Sequence, residues 1–141
     1  MTRPSGEDGN ALVEFTYLAV LLMVPLVYVL ISAFQVQRAS FGTSEAARQA
    51  GRAFATAPDE TTARERALVA ARLSLRDQGI DAEPDLDIRC QGPCLAPDSV
   101  VTISVRHVVR LPVLSLLGDS APTIPVRATH DAVIDRFRGA P

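Results

Sequence analysis

Residues 15–34, FTYLAVLLMVPLVYVLISAF, contain no charged side chain over 20 positions. A helix over this stretch is about 30 Å long at 1.5 Å per residue, which matches the hydrocarbon core of a bilayer. Twelve of its residues are Leu, Ile, Val or Phe. At about −0.3 to −0.6 kcal/mol each, they favour insertion by roughly 4 to 7 kcal/mol. The stretch therefore predicts one transmembrane helix.

A cleaved secretory signal is the main alternative for this stretch. Such a signal has an apolar region of about 7 to 15 residues, a basic start and a small-x-small cleavage site. Here the apolar region is longer, Arg3 is offset by Glu7 and Asp8, and no Ala-x-Ala follows. Pro25 lies inside the stretch, but proline is tolerated in membrane helices and causes a kink. These features favour a retained anchor.

A single carboxylate, Glu14, stands at the N-terminal border of the apolar stretch, five positions after Gly9. A charge at the edge of a membrane segment is costly, so its usual explanation is a function with a specific partner. The alternative is a plain anchor whose glutamate lies among lipid headgroups.

Composition limits the remainder of the chain to one small domain. The 141 residues carry a net charge of −2, so no basic surface indicates nucleic-acid binding. We find no nucleophile motif, phosphate-binding loop, dinucleotide fingerprint or paired histidines. We therefore expect no enzymatic activity, no cofactor, no metal, no nucleic acid and no small-molecule substrate.

The pattern along the chain predicts an α+β fold in three parts: a leader over residues 1–9, a transmembrane and extended N-terminal helix over 10–57, and a small extracytoplasmic domain over 58–141. Beyond the membrane the first helix carries an apolar stripe of Ala39, Ala46, Ala47, Ala50 and Phe54. Pro58 and Asp59 end it. A second helix is expected with Thr61 or Thr62 as its cap and Gly79 after its end, burying Ala67, Leu68, Ala71 and Leu75.

After Gly79 the hydrophobic period changes from 3.6 to 2, which indicates strands. Apolar residues alternate with polar ones around Leu86–Ile88–Cys90, from Val101 to Leu111, and less cleanly from Thr123 to Ile134. We expect a three-stranded antiparallel meander with a helix covering one face. His107 falls on the core side of this pattern and is expected to be structural. His130 and Asp131 are adjacent, so they point to opposite faces and cannot form a dyad.

Two cysteines, Cys90 and Cys94, flank Gln-Gly-Pro. Gly-Pro favours a turn, and a turn can bring the two thiols together as a disulfide, which persists outside the cytosol. Zinc binding is the alternative, but only two histidines remain as further ligands and they lack paired spacing. A structural disulfide is the favoured interpretation.

The orientation signals conflict. Arg38, Arg48 and Arg52 follow the apolar stretch, whereas Arg3 precedes it, and the positive-inside rule would place the C-terminal domain in the cytoplasm. The expected disulfide and the short leader favour the opposite arrangement. We therefore predict a single-pass protein of the cytoplasmic membrane with its N-terminus inside and its C-terminus outside.

Three segments resemble the TadE-like minor pilins of bacterial tight-adherence (Flp, type IV) pili. They are residues 9–15, GNALVEF, with the apolar stretch behind them; residues 46–53, AARQAGRA; and residues 133–138, VIDRFR. Asn at position 10 and proline at position 25 are departures from the family pattern. The resemblance spans the whole layout of the chain and implies a pilin-like fold.

The resemblance implies a membrane precursor that a prepilin peptidase cuts between Gly9 and Asn10. The cut would free an amine on Asn10, one helical turn before Glu14, and Glu14 could then pair with the amine of a neighbouring subunit. The implied partners are the lipid bilayer, the peptidase, other pilin subunits and the pilus assembly machinery, with a final location in an extracellular pilus. The alternative function is an uncleaved single-pass protein whose outer domain binds a partner.

Overall fold

A computed structural model describes residues 8–111 and 123–137, and side chains from residue 11 onward. Five elements follow in chain order: α1 (Asp8–Ala55), α2 (Glu60–Asp77), β1 (Asp85–Cys90), β2 (Val100–Arg110) and β3 (Thr123–Val133). The chain divides into two compact units, Met1–Phe34 and Gln35–Pro141. The predicted α+β class and element order are confirmed.

The first unit contains the apolar part of α1. The helix begins at Asp8, two residues before the expected start at Asn10, and Pro25 lies inside it. Nearly all of its large apolar side chains are exposed, from Leu12 at 71% to Phe34 at 68%. A helix with apolar side chains exposed on all sides is stable only in an apolar surrounding, and α1 is accordingly a candidate membrane span by length and composition.

In the second unit, the rest of α1 forms one wall of the core. The predicted apolar stripe is confirmed, because Ala39, Ala46, Ala47, Ala50 and Phe54 are all buried. Thr43 is also fully buried, and its hydroxyl donates to the carbonyl of Ala39. The helix ends at Ala55 rather than near Ala57. Small side chains on this face allow the α1 backbone to approach its neighbours closely.

The cap of α2 differs from the prediction. Asp59 occupies the N-cap position with an extended backbone, and its carboxylate accepts hydrogen bonds from the backbone N–H (2.9 Å) and hydroxyl (2.8 Å) of Thr62. Aspartate is a strong capping residue because its side-chain oxygens reach the unpaired N–H groups of the first turn. The expectation that Thr61 or Thr62 caps the helix was therefore wrong.

The buried face of α2 also differs in one position. Ala67, Ala71 and Leu75 are fully buried as expected, but Leu68 is only partly buried and Ala63 takes its place in the core. The helix ends at Asp77, and Gly79 follows with φ +68° as the predicted terminator. This left-handed conformation favours glycine, which has no Cβ to clash.

The sheet has the predicted antiparallel order β1-β2-β3. One face is buried against the helices through the set Val101, Ile103, Val105, Val109, Val126 and Ala132. On the other face Thr102 donates to Asp131 across the strands at 2.7 Å. Ser104 and Thr129 lie 3.1 Å apart there, and Arg127 donates to Ser104. The sheet is therefore apolar on one side and polar on the other.

Candidate functional site

The predicted cleavage position lies at the start of α1. Gly9 and Asn10 belong to the first turn of the helix, and their side chains are outside the described part of the structure. Glu14 follows one turn after Asn10 with an exposed side chain. Glu14 has no ion pair with any residue from 11 to 111 or from 123 to 137. Its carboxylate is therefore available to a partner from outside the described chain.

Other polar groups in the apolar part of α1 were not singled out from the sequence. Thr16 is satisfied locally, because its hydroxyl donates to the carbonyl of Leu12 at 2.8 Å. Tyr28 Oη and Ser32 Oγ are shielded from solvent, and neither has a hydrogen-bond partner in the described part of the chain. Polar residues within an apolar stretch were the available sequence signal for these two.

The two cysteines lie at the end of β1 and in the turn that follows it. Their sulfur atoms are 2.06 Å apart, which is disulfide distance. Gly92 within the turn has φ +88°, a conformation that glycine adopts without strain. The residues between the cysteines are thus compatible with the predicted bridge.

The segment that follows Cys94 is held to two strands. The Gln91 N–H donates to the carbonyl of Val100 at 3.2 Å, and Asp98 and Ile134 are joined by a backbone bond of the same length. Asp98 has φ +60° and also forms an ion pair with Arg136 at 3.4 Å. A bridge between the cysteines would therefore reinforce a segment that is already anchored at both ends.

The two histidines occupy different positions on the buried face of the sheet. His107 in β2 is partly buried, and this burial lowers its pKa by disfavouring the charged imidazolium. His130 in β3 approaches α1 so closely that a Cβ atom added to Gly51 would lie 2.9 Å from its Cδ2 atom. Asp131 is bonded on the opposite face, which confirms that it and His130 do not form a dyad.

A cavity of about 1010 Å³ opens near one end of the sheet. Its lining includes three carboxylates and three guanidinium groups beside His107: Asp81, Glu83, Asp85, Arg106, Arg110 and Arg127. This balance of charges does not select one class of ligand. Among the described residues, no group of three or more His, Cys, Asp or Glu side chains is arranged to hold a metal ion.

Comparison with protein-family models, with curated proteins and with solved structures found no match to this chain. The functional interpretation therefore depends on its own residues and their geometry.

Proposed function

We propose that this protein is a minor pilin or pseudopilin of the tight-adherence (Flp) type. It is made as a membrane-anchored precursor, cut after Gly9, and used in the assembly of a pilus. The observation that carries the proposal is the position of Glu14. This residue lies five positions after a glycine and at the start of an apolar helix that continues into the folded domain as α1.

The continuity of α1 supports an assembly role. The same helix supplies an exposed apolar segment at one end and, from Ala39 to Phe54, a wall of the buried core at the other. A subunit built in this way can exchange lipid contacts for contacts with neighbouring apolar helices. Its folded domain is then carried along, because it is built on the same helix.

Cleavage would give Glu14 a specific partner. The new amine on Asn10 lies one turn before Glu14 in its own chain, and a neighbouring subunit presents the same amine. When two charges leave water together, desolvation offsets much of their attraction, and their main effect is to fix how the helices align. The pair thus sets the axial register of subunits more than it adds stability.

The disulfide-distance cysteines support an extracytoplasmic location for the domain. Structural disulfides persist in oxidising compartments and are rare in the cytosol. The arginines after the apolar stretch favour the opposite orientation, and we give the cysteine pair more weight because its geometry is compatible with a bridge.

Gly9→Val tests the processing step. A peptidase pocket that fits a residue without a side chain should reject a β-branched one, so the variant should retain Met1. Gly6→Val is the matched control, because the same substitution in the leader should leave cleavage unchanged. N-terminal sequencing and intact mass of the membrane form decide the result. Retention of Met1 by the parent protein in cells with an active prepilin peptidase would contradict the proposal and favour the uncleaved partner-binding alternative.

Glu14→Gln tests the pairing step. The variant should still insert and be cut, because insertion depends on the apolar stretch, but less of it should enter pili. Glu7→Gln is the control, since residue 7 leaves with the leader. The amounts in sheared pilus and membrane fractions are compared by immunoblot. Equal recovery of Glu14→Gln and parent protein in the pilus fraction would refute the pairing role.

A further inference from the structure

The polar side chains of the apolar segment share one face of α1. At 3.6 residues per turn, Glu14, Tyr17, Tyr28 and Ser32 fall within an arc of about 60°. Thr16 lies on the opposite side and is bonded to its own helix. The side chains that still need a partner are therefore collected on one face, as expected where a membrane helix contacts another helix.

Pro25 adds a backbone group to this face. A proline has no N–H, so the carbonyl four residues earlier, that of Leu21, loses its usual helical donor. Leu21 lies between Glu14 and Tyr28 on the same arc. The face thus presents a carbonyl oxygen in the middle of the segment, where no water is available to pair with it.

Complementary groups on this face recur at one spacing. The amine of a cleaved Asn10 and the Glu14 carboxylate are four positions apart. The Tyr17 hydroxyl and the Leu21 carbonyl are also four apart, and so are the unpartnered hydroxyls of Tyr28 and Ser32. Within one chain the last two do not bond to each other, so each remains available to a second molecule.

We propose that this face packs in parallel against a second copy of the chain, displaced along the helix axis by four residues, about 6 Å. At that displacement, Tyr17 of one copy donates to the Leu21 carbonyl of the other, and the Tyr28 hydroxyl meets Ser32. The same displacement brings Asn10 level with Glu14. Only this last contact rests on the cleavage proposed above.

A second copy fits the face better than lipid or an unrelated helix does. Lipid chains offer no hydrogen-bond partner, whereas a copy displaced by four residues supplies one at all three levels. A copy without displacement would set Glu14 against Glu14, and like charges repel in a medium of low dielectric constant. The displaced arrangement is open-ended, because each copy repeats the same contacts with the next. A continuing assembly follows, rather than a closed dimer.

Cysteine cross-linking of the full-length chain in membranes tests the displacement. Two differently tagged variants, Tyr28→Cys and Ser32→Cys, are produced together and separately, and all samples are oxidised and run without reducing agent. The Tyr17 and Glu14 contacts remain in these variants to hold the alignment. The parent protein, with only Cys90 and Cys94, is the control for cross-links through the native cysteines. N-terminal sequencing of each sample reports cleavage separately.

The mixed pair should cross-link several-fold more than either variant alone. Stronger 28–28 and 32–32 products, or no product beyond the parent's, would overturn the displaced arrangement even if the chain is cleaved. Mixed cross-links in an uncleaved chain would support the displacement and contradict the proposed processing instead. As a second measurement, Tyr28→Phe should weaken self-association in a fluorescence-transfer assay roughly threefold, the effect of one interhelical hydrogen bond. Thr16→Val, on the opposite face, should leave self-association unchanged, and an equal loss in both variants would also overturn the proposal.

Discussion

Replacing Gly51 with alanine distinguishes local helix preference from tertiary packing. In isolation the change should stabilise α1, because alanine is favoured over glycine in a helix interior by about 1 kcal/mol. In the folded domain, however, the new Cβ would lie 2.9 Å from His130 Cδ2 and 3.3 Å from Ala132 Cβ. Relieving such contacts in a packed core costs about 1 to 3 kcal/mol. The expected net effect is a loss of about 1 kcal/mol.

The role of His130 can be isolated by a double-mutant cycle. In a His130→Ala background the shorter of the two contacts is absent, so Gly51→Ala should become neutral or stabilising. The coupling energy between the two sites should therefore be about 1 to 2 kcal/mol, in the range found for residues in direct contact. Ser40→Ala, at an exposed position of the same helix, is the control for helix preference alone.

Pulse proteolysis of the full-length protein in urea measures these differences without depending on the signal of the membrane helix. With a slope of about 2 kcal/mol per molar urea, a loss of 1 kcal/mol lowers the midpoint by roughly 0.5 M. The reasoning would be refuted if Gly51→Ala raised the midpoint as Ser40→Ala does. An equal effect of Gly51→Ala in the parent and in His130→Ala would refute the specific contact.

Three further predictions concern the folded domain. Cys90 and Cys94 should resist alkylation until the protein is reduced, and reduction should destabilise the domain by roughly 2 kcal/mol for a five-residue loop; free thiols in freshly isolated protein, read by mass spectrometry, would contradict both the bridge and the chosen orientation. Asp59→Ala should lower the urea midpoint more than Asp59→Asn, because asparagine keeps an oxygen that can accept from the first turn; equal losses would show that the cap contributes nothing specific. Burial lowers the pKa of His107, so the unfolded chain binds its proton more readily, and stability present above about pH 6.5 should decline as the pH falls below that value. His107→Gln should reduce the part of the acid-dependent decline in urea midpoint that this residue causes, and an unchanged pH profile would rule out its contribution.

The sequence by itself determined the elements and their faces. A charge-free stretch of 20 residues admits few structures other than an apolar helix, since every side chain must meet an apolar surrounding. The alanine stripe of α1 and the alternation in the strands likewise fixed which sides are buried, because helix and strand periods are set by backbone geometry. Gly79 ended α2 as predicted, since its left-handed conformation is a local property.

Only the tertiary structure decided the details that depend on competing partners. Asp59, Thr61 and Thr62 were all suitable as caps, and the backbone at Asp59 selected the aspartate. Leu68 and Ala63 could each have faced the core, and the position of the helix against its neighbours buried the alanine. The approach of His130 to Gly51 joins residues that are far apart in sequence. No local pattern contains such a distance, because it arises from how the helix and sheet pack together.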